Sequence, residues 1–180
     1  MKITVFTSNQ PRHISLVNRL ASIADEVYCV QESNTVFPGQ VEDFYKKSDV
    51  MRTYFESVMS AERSIFGELS FFAPNVRSLS IKSGDLNSLS FDMLLDAMSS
   101  DVYVVFGASY IKGWLIDHLV ERKALNIHMG ISPYYRGTSC NFWALYDGNP
   151  NYVGATVHMF TRGLELDLYF IIVFPNLPRV

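Results

Sequence analysis

Lys2-Ile3-Thr4-Val5-Phe6-Thr7 is a run of apolar and β-branched residues that stops at Ser8-Asn9-Gln10-Pro11, after which Ile14, Val17, Leu20, Ala21 and Ile23 recur at helical spacing. A buried strand that feeds a polar loop and then a helix is the opening of a doubly wound α/β fold. In that fold the loop lies at the carboxyl end of a parallel strand, where ligands bind, and the helix N-terminus favours an anion such as a phosphate. A plain surface loop is the other reading of the same residues. Gly-x-Gly-x-x-Gly is absent here, so a dinucleotide fingerprint is not expected.

The alternation continues along the chain. Val27 to Val30 reads as a second strand, Ser33 to Gln40 as a loop, and Val41 to Phe66 as one long helix or two shorter ones. The stripe of that segment (Phe44, Met51, Tyr54, Phe55, Val58, Met59, Ile65, Phe66) is expected in the core. Val76 to Ile81 reads as a short strand, and Ser90 is placed to cap a helix with the face Phe91, Leu94, Leu95 and Met98. Asp101 to Phe106 has the content of a buried central strand. Gly107-Ala108-Ser109-Tyr110 then lets a ligand approach the backbone. Ile111, Trp114, Leu115, His118 and Leu119 continue as an amphipathic helix, with His118 a structural residue at its edge. Ala124 to Met129 reads as a strand, Ser139 to Tyr146 as a short helix and Val153 to Phe160 as a strand. The expected fold is a Rossmann-like doubly wound α/β domain with a mostly parallel sheet and right-handed crossovers.

Whole-chain properties narrow the function classes. A length of 180 residues, 48% apolar and 18% charged, is one globular domain. A net charge of −3 argues against nucleic acid as the main partner. Cys29 and Cys140 make no metal pattern, so reduced thiols and a cytoplasmic location are expected. No apolar run is long enough to span a bilayer, and the N-terminus lacks a signal-peptide layout.

The chemistry concentrates in Asn126-Ile127-His128-Met129-Gly130-Ile131-Ser132-Pro133-Tyr134-Tyr135-Arg136-Gly137. On a strand Asn126 and His128 project from one face, and Ile127 and Met129 point the other way, toward a core. Gly130, Pro133 and Gly137 break the strand into an aromatic loop. Taken singly, a histidine on a strand reads as a core or edge residue. The combination continues with Phe142-Trp143-Ala144-Leu145, Asp147-Gly148 and Gly154-Ala155-Thr156-Val157-His158. Over residues 100–165 this order and spacing resembles the signature of the formyltransferases that use N10-formyltetrahydrofolate.

That resemblance implies roles. Asn126 and His128 would be two members of a catalytic Asn–His–Asp set. Phe106, Gly107, Ala108, Ser109, Tyr110, Ile111 and His158 would border the pterin of N10-formyltetrahydrofolate, with no metal involved. The stretch Ser8, Asn9, Gln10, Arg12 and His13 resembles the N-terminus of sugar formyltransferases and, with Tyr135 and Arg136, would meet a nucleotide-linked amino sugar. A methionyl-tRNA formyltransferase-like enzyme and a non-catalytic folate- or nucleotide-binding remnant are the alternatives, and a homodimer is possible in this family. The chain departs from the pattern at the third catalytic position. The family's Asp, seven residues after the second His, is here Glu165, in Gly163-Leu164-Glu165-Leu166-Asp167-Leu168-Tyr169. One lost base in that Asp codon turns a Gly-Leu-Asp-Thr-Gly-Pro-Ile reading into this tail. Residues 1–180 are therefore expected to be a single catalytic domain lacking its C-terminal part, with impaired activity. A divergent strand over Leu168 to Phe174 is the alternative for the same residues.

Overall fold

The computed structural model describes residues 1–33, 49–162 and 170–174. The expected loop beyond Ser33, the first part of the following helix, and Gly163 to Tyr169 with Glu165 lie outside the described residues. Seven strands form one sheet: β1 (Lys2–Ser8), β2 (Glu26–Ser33), β3 (Val76–Lys82), β4 (Val102–Phe106), β5 (Leu125–His128), β6 (Ala155–Met159) and β7 (Phe170–Val173). Among the described residues four α-helices accompany them: α1 (Pro11–Ala21), α2 (Asp49–Phe66), α3 (Trp114–Glu121) and α4 (Cys140–Tyr146). The strand order is β3-β2-β1-β4-β5-β6-β7. β3, β2, β1, β4 and β5 run parallel, while β6 pairs antiparallel with β5, and β7 with β6. The order reverses direction between β1 and β4, which is where doubly wound sheets open a ligand crevice.

The central strands are mostly apolar because both faces are covered. Ile3, Val5, Val27, Cys29 and Val104 face Val17 and Ala21 of α1. Phe6, Tyr28, Val30, Tyr103 and Val105 face Leu115 and Leu119 of α3, with Leu94, Ala97 and Met98. Successive residues of one strand thus feed opposite cores, the period-two rule at work on both sides. β3 ends the sheet with Arg77 and Lys82 on a largely exposed strand, which suits an edge.

Three expectations need correction. The helix expected after Ser90 is instead a pair of 3-10 turns, Asp92–Leu94 and Ala97–Ser99. Ser90 Oγ accepts the Met93 N–H at 3.3 Å. Thr4 Oγ1 and Tyr103 Oη donate to the carbonyls of Ala97 and Met98, which ties the end of this segment to β1 and β4. Of the α2 stripe expected in the core, Tyr54, Ile65 and Phe66 are exposed and Val58 and Met59 are half-buried. This helix packs on α1, itself the cover of the sheet, and Glu62 pairs there with Arg12. Met129, expected to face a core, is 45% exposed. β5 ends at His128, where the Gly130 N–H turns back to the His128 carbonyl at 3.0 Å, so strand alternation no longer holds at Met129. At the end of the chain, β7 pairs with β6 in the register His158↔Phe170, and Ile171 and Val173 are exposed on this edge strand.

His13, in the first turn of α1, is 2% exposed and meets the Phe106 ring edge-on at 4.7 Å. Its Nδ1 accepts the Gln10 N–H at 3.2 Å. Burial, and secondarily the Arg12 guanidinium, push its pKa from 6.5 down to about 3. The unfolded chain binds this proton below pH 6.5 and the folded chain does not until about pH 3, so stability falls as pH falls through that window. Between pH 7 and pH 5 His13 should cost about 2 kcal/mol of folding stability. Denaturant titrations at the two pH values should show this loss in the wild type and not in His13→Phe; an equal pH dependence in both would contradict it.

Candidate active site

A cavity of about 710 Å³ opens at the carboxyl ends of β4 and β5 beside the start of α1, at the point where the strand order reverses. Its walls are Arg12 and His13, the segment Val105 to Ile111 with Ile116, Asn126 to Met129, Ser132, Pro133 and Arg136 to Ser139, and finally Thr156, His158 and Phe160 to Arg162. Its volume is that of a small-molecule site. Among the described residues no Asp or Glu lines it, whereas Arg12, Arg136 and Arg162 do, in a chain of net charge −3. Among the described residues no His, Cys, Asp and Glu group is placed to hold a metal ion.

Asn126 and His128 both reach this cavity from β5. β5 is held on one side by the parallel pairs Val104↔Leu125 and Val105↔Asn126 and on the other by the antiparallel pairs Asn126↔His158 and His128↔Thr156. The second register pair puts Asn126 Nδ2 3.0 Å from His158 Nε2. His158 Nδ1 lies 2.9 Å from the Met159 carbonyl, which only accepts, so Nδ1 carries the hydrogen and Nε2 accepts from the Asn126 amide. His128 is fixed in the same way: its Nε2 is 3.0 Å from the Tyr135 carbonyl. That assigns the hydrogen to Nε2 and leaves Nδ1 as the basic nitrogen of the neutral ring.

The loop after β5 is shaped to hold the His128 ring. A Cβ at Gly130 would come within 2.5 Å of Cys140 Cβ, 2.8 Å of His128 Nε2 and 3.0 Å of the Tyr135 carbonyl, so only glycine fits. Thr156 Oγ1 donates to the Gly130 carbonyl at 2.7 Å and accepts the Ser132 N–H at 3.1 Å. The Ser132-Pro133 peptide is cis. Tyr135 Oη donates to Asp147 and accepts from Asn149, and Tyr134 stacks at a tilt on Tyr152 at 4.5 Å. Cys140 Sγ lies behind the ring, 3.5 Å from His128 Nε2, and burial raises the pKa of its thiol. On the opposite wall, Gly107 has φ +69° and a Cβ there would meet His13 Nε2 at 2.5 Å. The chain leaves β4 by passing directly over the buried histidine.

The structure gathers most of the residues singled out in the sequence. Asn126, His128, Phe106, Gly107, Ala108, Ser109, Tyr110, Ile111, His158, Arg12, His13 and Arg136 all line the cavity. Ser8, Asn9, Gln10 and Tyr135 do not. Ser8 is buried at the end of β1 and bonds Asn9, Gln10 caps α1 through His13, and Tyr135 braces the loop. Sequence reasoning named Thr156 only as a letter of the motif and gave Cys140 and Arg162 no role. Arg162 lines the cavity and pairs with Asp117 at 2.9 Å.

No family model matches the chain, and no curated protein matches it. Solved structures match it over almost its whole length. Glycinamide ribonucleotide transformylase 1 from Geobacillus kaustophilus is 18% identical with a TM-score of 0.56, over 98% of this chain and 85% of that one. Phosphoribosylglycinamide formyltransferase from Bacillus halodurans is 12% identical with a TM-score of 0.57, over 99% and 83%. A formyltetrahydrofolate deformylase from Pseudomonas syringae pv. tomato is 14% identical with a TM-score of 0.52, over 96% of this chain and 50% of its own. The fold of this chain, a seven-stranded, mostly parallel α/β sheet with its crevice between β1 and β4, is that of the formyltransferases.

Proposed function

We propose that the chain transfers a formyl group from N10-formyltetrahydrofolate to the amino group of a nucleotide-linked amino sugar. One observation carries this reading: Asn126, His128 and His158 stand across the β5–β6 pair and open into the same cavity as the Phe106 to Ile111 wall. The residues present suit such a donor. The volume is adequate, Gly107 brings backbone to the cavity edge, and the arginines favour carboxylates and phosphates over cations.

When bound, the folate supplies an activated formyl carbon to a neutral amine; negative charge develops on the formyl oxygen, and a proton moves from the amine to the departing folate nitrogen. Asn126 spends one amide hydrogen on His158 and aims the other at that charge, a kind of donor worth a few kcal/mol. His128, held through Nε2 by Tyr135, uses Nδ1 to take and pass on the proton. His158 keeps the Asn126 amide from turning over. Arg12, His13 and Arg136 carry the acceptor side, with the α1 N-terminus favouring a phosphate. Glu165 enters as the carboxylate at the family's Asp position. It is one methylene longer than Asp, and a misplacement of about 1 Å can cost roughly a hundredfold, so low turnover is expected.

The test is an assay of the 180-residue chain with N10-formyltetrahydrofolate against nucleotide-linked amino sugars and glycinamide ribonucleotide. Asn126→Ala and His128→Ala should each lower kcat about a hundredfold or more while tetrahydrofolate binding stays within a few-fold. Near-normal turnover in either variant would refute the assignment. Transfer to glycinamide ribonucleotide alone would move the acceptor class, and folate binding without transfer to any amine would favour a non-catalytic remnant.

A further inference from the structure

We infer that Glu32 and Asn87, neither of which touches the cavity, are positioning residues that hold the Phe106 to Ile111 wall in its ligand-ready shape; the inference rests on reading that wall as a folate site. Glu32 is the last residue but one of β2 and is 1% exposed. Among the described residues no cation pairs with it. Its carboxylate instead accepts three donors from two other segments: Gly84 N–H at 2.8 Å and Ser109 Oγ at 2.8 Å on Oε1, and Ser109 N–H at 2.5 Å on Oε2. Asn87 uses both ends of its amide on the next stretch of the same wall. Its Nδ2 donates to the Tyr110 carbonyl at 2.7 Å and its Oδ1 accepts the Lys112 N–H at 2.8 Å.

The two side chains therefore fasten the turn after β3 to the loop after β4 on either side of the buried Ile111. At its other end the loop is fixed by Gly107 over His13. A buried carboxylate is a poor way to gain stability, since an apolar residue of similar size does as well or better. What it provides is a set of directed bonds to backbone that packing cannot supply. Neither Glu32 nor Asn87 is itself part of the cavity wall. A wall already ordered spares the ligand the entropy of ordering it.

The experiment is calorimetric titration of tetrahydrofolate into the whole chain, comparing wild type with Asn87→Ala and Glu32→Gln. Asn87 is the safer site, since it lies outside the core, and Asn87→Ala carries the test if Glu32→Gln fails to fold. Each variant should bind tetrahydrofolate about tenfold more weakly. Asn87→Ala should also raise KM for N10-formyltetrahydrofolate by a similar factor with kcat within about twofold. Asn87→Asp, which keeps the acceptor for Lys112, should recover part of the loss. A merely structural role would lower kcat through a smaller active fraction and leave KM and the dissociation constant unchanged; that outcome would overturn the inference. Wild-type affinity in Asn87→Ala would overturn it alone, whereas a wild type that binds no tetrahydrofolate would overturn the folate reading beneath it.

Discussion

β5 is the strand on which the site depends, and its double pairing is the controlling constraint. It has four residues, is bonded in parallel to β4 over only two of them, and is bonded antiparallel to β6 over all four. A slip of one residue would turn Asn126 and His128 to the opposite face. The parallel side anchors β5 to the core strands. The antiparallel side sets Asn126 opposite His158 and His128 opposite Thr156, and so decides which polar groups meet. The orientation of the amide, the tautomers of both histidines and the seat of the loop follow from that register.

Among the described residues that line the cavity, Arg12, Arg136 and Arg162 are the cationic side chains and no carboxylate joins them. Carbonyl partners fix one hydrogen on each of His128 and His158, which makes each ring an oriented donor–acceptor pair. His13 is kept neutral by burial. The cationic groups, Arg12 and Arg162, are tied back to Glu62 and Asp117 while still reaching the cavity. A chain with negative net charge thereby presents a site that suits anions. The resemblance in sequence and the likeness to solved structures agree on the fold, at 12–18% identity.

Where local patterns dominate, the sequence was readable. Strand–loop–helix at residues 2–21, the β-branched run of β4 and the Asn126 to Gly137 stretch all state their structure in neighbouring residues. Tertiary competition hid the rest. Phe91 to Met98 has a helical stripe, but it forms two 3-10 turns whose end is tied to β1 and β4 by Thr4 and Tyr103, contacts between segments far apart in sequence. Tyr54 and Phe66 read as core because periodicity gives a face and not a layer, and α2 lies outside α1. Ser8, Asn9 and Gln10 precede the crevice in sequence yet do not line it; Ser8 ends β1 and Gln10 caps α1. Glu32 carried no signal at all: a charged residue closing a strand looks like an edge to solvent, and only the arrival of Ser109 and Gly84 from distant segments makes it interior.

The central claim is that the β5 register holds Asn126 and His128 over a folate seated against the loop after β4. A crystal structure of the chain with tetrahydrofolate tests it most directly. The account predicts the pterin against the backbone of Phe106 to Ile111, with the folate N10 within hydrogen-bonding reach of the Asn126 amide or His128 Nδ1. A pterin bound elsewhere, for example in the groove between α1 and residues Phe66 to Ser70, or an N10 directed away from β5, would contradict it.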